Sequence, residues 1–141
     1  TISHYGSNTL ANDINTLKIT WVDNNNGAYT YLRDAKSLSS DLTVGKMYKL
    51  TFDAKVNTGS ATYDIETASG SDVTRATVTN TSFQTYILYF IAGSVDETYL
   101  IIRVTDGEIA WLDNTFLQEV GGNSGVMQNM DAVIDFEGDT P

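Results

Sequence analysis

The chain has 141 residues and a formal net charge of −10, from 18 acids against 8 bases, with a single proline and no cysteine. Its length suits one domain with a real core, and the lack of cysteine excludes disulfides and thiolate metal sites. The acidity makes nucleic acid and anionic membrane surfaces poor partners, while neutral ligands such as sugars remain open.

No apolar run exceeds residues 86–93, far short of the roughly 20 residues a membrane helix needs. The start has no basic and apolar leader, so Thr1 reads as a fragment boundary or a processed end.

Residues 1–15 are polar, with Tyr5, Leu10 and Ile14 as scattered anchors. His4 is the only histidine and has no partners at the spacing of a zinc site or catalytic triad. Residues 16–22 alternate, with Leu17, Ile19 and Trp21 on one side, and predict a half-buried strand. A turn cluster follows, Asp23-Asn24-Asn25-Asn26-Gly27, whose residues tolerate left-handed backbone. Residues 28–34 read as the return strand of a hairpin. The oxygen-rich loop between could hold calcium, against the plainer reading of a hairpin loop.

Period two sets Tyr29, Tyr31 and Arg33 on one face of that strand and Thr30 and Leu32 on the other. With Leu32 inward, two tyrosines and an arginine stand side by side outward. Such a row suits a sugar, whose apolar ring face stacks on an aromatic while arginine bonds its hydroxyls; cross-strand packing is the plainer alternative. Residues 48–56 give the cleanest alternation in the chain, with Tyr48, Leu50, Phe52, Ala54 and Val56 facing the core.

Residues 61–67 and 73–78 are the next strands. Asp64 and Glu66 share a face of the first, and we read them as part of a solvated polar face rather than a catalytic pair. Residues 83–92 are apolar on both faces, which predicts a central strand or a covered outer face. Residues 99–105 set Leu100, Ile102 and Val104 against Tyr99, Ile101 and Arg103. This second pairing of tyrosine with arginine suggests one surface shared with Tyr29, Tyr31 and Arg33.

Residues 107–120 form the closing strand. It opens at an Asp-Gly turn, stops at Gly121-Gly122, and is interrupted by Trp111-Leu112-Asp113-Asn114. We expect the rest of the chain to be organised around it. Residues 121–141 hold Asp131, Asp135, Glu137 and Asp139 and no base. We expect an acidic extension or linker there, beyond a domain spanning residues 1–120. Short strands spaced by turn signals define an all-β chain, either sandwich or barrel. Alternating charge on the outer faces favours two packed antiparallel sheets.

Three blocks carry a resemblance: residues 43–55, TVGKMYKLTFDAK; residues 81–90, TSFQTYILYF; and residues 109–114, IAWLDN. In order and spacing they resemble carbohydrate-binding modules related to families 4, 9 and 22. The wording, with its Glu-Val-Gly-Gly exit and Asn-Met-containing tail, also resembles domains of tailed-phage structural and tail proteins. The resemblance implies a jelly-roll β-sandwich without catalysis of its own. It also implies a structural calcium, with Asp113 at the position of one ligand.

The candidate ligand contacts are Tyr29, Tyr31, Arg33, Tyr99, Arg103 and Trp111. The expected partner is a poly- or oligosaccharide, in an extracellular or virion setting. The alternative is a virion domain that serves assembly with other subunits and binds no sugar.

Overall fold

The computed structural model describes residues 3–4, 9–13, 16–20, 28–33, 38, 40–67, 72–93, 98–104 and 108–121. Among them ten strands form two antiparallel sheets of five, with no helix. The strands are β1 (Ser3–His4), β2 (Thr9–Asp13), β3 (Thr16–Thr20), β4 (Ala28–Tyr31) and β5 (Met47–Val56). There follow β6 (Ala61–Glu66), β7 (Asp72–Val78), β8 (Gln84–Ile91), β9 (Tyr99–Val104) and β10 (Ile109–Glu119). One sheet runs β1-β4-β9-β6-β7 and the other β2-β3-β10-β5-β8. The all-β sandwich expected from the alternation is the fold observed.

β10 lies in the middle of the second sheet, paired with β3 on one side and β5 on the other. The closing strand therefore occupies the place expected of it. Alternation explains β5 directly: Tyr48, Leu50, Phe52, Ala54 and Val56 are buried, while the residues between them are half-buried on the outer face. Phe52 stacks on Tyr63 of the opposite sheet at 5.2 Å between ring centroids, and on Tyr86 of β8 at 5.8 Å. The buried Tyr63 hydroxyl donates to the carbonyl of Trp111 at 2.7 Å, tying β6 to β10 across the core. Loss of water around that phenol raises its pKa well above the ordinary tyrosine value.

Two expectations fail, each for a topological reason. β3 and β4 lie in different sheets, so the two strands do not pair as the expected hairpin. The loop proposed to hold calcium, residues 23–27, lies outside the described residues. β8 is an edge strand, paired only with β5, and its outward Ile87, Tyr89 and Ile91 are exposed rather than covered. The polar stretch of residues 1–15 contributes β1 and β2, short strands at the edges of the two sheets without an apolar period of their own.

Phe52→Ala removes the ring on which both stacks rest. It should cost about 3–5 kcal/mol of stability, measured by urea unfolding.

Candidate functional site

The outer face of the first sheet gathers most of the candidate residues. β4 and β9 pair so that Tyr31 lies opposite Tyr99 and Tyr29 opposite Ile101. The three tyrosines form a closed cluster, with centroids 5.8 Å apart for Tyr29 and Tyr31, 6.2 Å for Tyr29 and Tyr99, and 5.7 Å for Tyr31 and Tyr99. Every pair meets at a steep interplanar angle, the edge-to-face geometry that aromatic quadrupoles favour. The guanidinium of Arg33 lies 4.6 Å from the centre of the Tyr31 ring, a cation–π contact. All three rings are half-buried, so each keeps some surface toward solvent.

The next strand brings in two residues that were not among the candidates. In register, Asp64 lies opposite Ile101 and Glu66 opposite Tyr99. Both acids share the face of the tyrosines, yet their side chains are only 0 % and 2 % exposed. The expected solvated polar face is thus a buried acid pair. It is buried because arginines lie over it. One nitrogen of Arg103, Nη1, donates to Asp64 at 2.8 Å and to Glu66 at 2.5 Å. Arg75, opposite Asp64 on β7, donates through Nε at 2.8 Å and Nη2 at 3.0 Å, a bidentate pair. The other oxygen of Glu66 accepts the Tyr99 hydroxyl at 3.3 Å.

Two negative charges out of water would be prohibitive alone. Two guanidiniums with fixed forks make them tolerable. A trace of this lay in the sequence. Of the three arginines of the chain, Arg75 and Arg103 fall at outward positions of this one sheet and Arg33 just past the end of its β4, while the second sheet carries lysines.

Trp111 is not part of this surface. It projects from the outer face of the second sheet, where Lys55 lies 4.7 Å and Lys18 6.0 Å from its ring centre. Asp113 is on that face too. The strand register shifts between Asp113 and Phe116, and Asn114 takes a left-handed φ of 48°. This is a β-bulge, and three hydrogen bonds surround it. Asp113 accepts the Asn114 amide at 2.8 Å, and Asp53 accepts the Asn114 side chain at 2.7 Å and the Thr85 hydroxyl at 2.6 Å. The Asn114 and Thr85 bonds also hold the Asp53 carboxyl below its usual pKa. Among the described residues no three acids or histidines converge on a common point. The surroundings of Asp113 are those of a pinned bulge.

Comparison with known proteins agrees with this architecture. No family model matches the sequence, and no curated protein matches it significantly. Solved structures do. The CBM22-1 xylan-binding domain from Paenibacillus barcinonensis Xyn10C superposes with a TM-score of 0.62 at 13 % identity, over 84 % of this chain and 85 % of that one. A family 29 carbohydrate-binding module complexed with mannohexaose gives 0.59 at 16 %, over 85 % and 82 %. A family 4 module gives 0.57 at 16 %, over 84 % and 77 %. At such identities the likeness establishes the fold, a jelly-roll β-sandwich of the kind carbohydrate-binding modules use. A virion context has no counterpart among these structures.

Arg103→Ala leaves both buried acids without their shared donor and should cost about 3 kcal/mol or more in urea unfolding. Asp113→Ala should shift the melting temperature equally in calcium and in EDTA. A calcium-dependent difference would place an ion at the bulge.

Proposed function

We propose that the chain is a non-catalytic carbohydrate-binding domain. Its ligand, an oligo- or polysaccharide, lies across the outer face of the first sheet on Tyr29, Tyr31 and Tyr99, with Arg33 beside them. The observation that carries this reading is the three-tyrosine cluster, built from two paired strands and partly open to solvent. An inert sheet surface has no need of three aromatic rings together. The apolar faces of sugar rings are suited to stacking on them, and guanidinium and phenol groups can bond sugar hydroxyls. The likeness to modules of families 4, 22 and 29 supports the same reading, as does an acidic surface that is unsuited to polyanions. An extracellular setting follows from such a ligand.

A second reading is favoured by the opposite face. There Met47, Ile87, Tyr89, Ile91 and Phe116 are exposed on adjoining strands of the second sheet. An apolar strip of this kind suits packing against another subunit, as a domain of a virion or other assembly would require. The two readings use different faces and are compatible.

A glycan array followed by calorimetry separates them. Tyr29→Ala or Tyr31→Ala should weaken the best ligand at least about tenfold, since buried aromatic anchors dominate such contacts. Absence of any glycan binding, with stable oligomers in light scattering, would leave only the assembly reading.

A further inference from the structure

Arg103 stands among the candidate ligand contacts, but its hydrogen bonds point away from that role. Nη1 carries two hydrogens, and both are directed at acids on β6, Asp64 at 2.8 Å and Glu66 at 2.5 Å. Glu66 is almost wholly out of water, so its carboxylate depends on the groups immediately around it. Its Oε2 takes Arg103 and its Oε1 takes the Tyr99 hydroxyl. Tyr99 in turn touches both other rings of the cluster. A continuous chain of contacts thus runs from Arg103 through Glu66 to Tyr99 and on to Tyr29 and Tyr31. Arg75 holds Asp64 from the far side with two parallel bonds, so the acid pair is gripped from both flanks.

We infer that Arg103 is a positioning residue of the carbohydrate face: it fixes Glu66, and Glu66 fixes the hydroxyl and hence the ring of Tyr99, so that the three-tyrosine platform is set before any ligand arrives. This rests on the reading of that face as the sugar-binding surface. It assigns Arg103 an action through Glu66 and Tyr99 in place of direct contact with the sugar. Preorganisation of this kind raises affinity because the ring need not be ordered on binding. Lysine is not an equivalent substitute, since it lacks the planar fork that sets the direction of each bond.

A double-mutant cycle with affinity as its readout tests the relay. Arg103→Lys should weaken binding of the best array ligand about tenfold in the native background, but no more than about twofold once Tyr99→Phe has removed the hydroxyl, because residues in one network couple. Glu66→Gln, which keeps an acceptor but not the charge, should show the same dependence on Tyr99 and serves if Arg103→Lys does not fold. In the ligand-free protein, Arg103→Lys should shift the ring NMR resonances of Tyr99 more than those of Tyr29.

Losses that simply add would show Arg103 touching the sugar itself and overturn the relay. Tyr99 resonances unmoved by Arg103→Lys would overturn it as well. If the native protein binds no glycan, the function proposed for the face falls, while the resonances still decide whether Arg103 sets the Tyr99 ring.

Discussion

Asp64 and Glu66 sit on the outside of a sheet and yet have almost no contact with water. Desolvating two carboxylates would cost many kcal/mol if nothing replaced their hydration. Arg103 and Arg75 replace it, and their positions are dictated by strand register: β9 supplies one guanidinium, β7 the other, and β6 lies between. The remaining features of that face follow from this constraint. Ile101 is buried in the same row as Asp64. The tyrosines can crowd together on β4 and β9 because the acid they adjoin is already neutralised. A face assembled this way gains directional order, where a purely apolar face would gain only adhesion.

The two sheets divide the work. The first carries the tyrosines, the arginines and the buried acids on its outer side. The second carries lysines over Trp111 and an exposed apolar strip along β5, β8 and the end of β10. Between them the Phe52–Tyr63 stack and the Tyr63 hydroxyl couple the layers, so neither sheet can slide without breaking an aromatic contact or stranding a buried phenol. That coupling explains how one face can be held in register while the other is left open.

Much of this was legible in the chain. Alternation and turn signals together point to β3 through β10, and alternation to the inward faces of β5 and β9 and the common face of Tyr29, Tyr31, Tyr99 and Arg103. It failed where the answer depends on which strand lies alongside. Period two tells which residues share a face, but not what covers that face. Asp64 and Glu66 looked solvated because their arginine partners are 11 and 39 residues away along the chain from Asp64. β8 looked central because apolar residues on both faces normally mean cover, whereas here one side is simply left bare. Trp111 lies on a different sheet from the tyrosines, which the pattern within one strand does not reveal. Asp23 to Gly27 suggest a hairpin between β3 and β4, but turn-forming residues do not specify whether the strands on either side pair.

The bulge at Asn114 reverses the parity of everything after it. Ahead of it, Ala110 and Leu112 point inward; behind it, Leu117 packs on the core and Phe116 stands 59 % exposed. The same residues paired without the bulge would turn these two side chains about, hiding the phenylalanine and presenting the leucine. The bulge thus absorbs one residue, and a single deletion between positions 113 and 116 would straighten the strand yet keep Phe116 opposite Thr51 and Leu117 opposite Leu50.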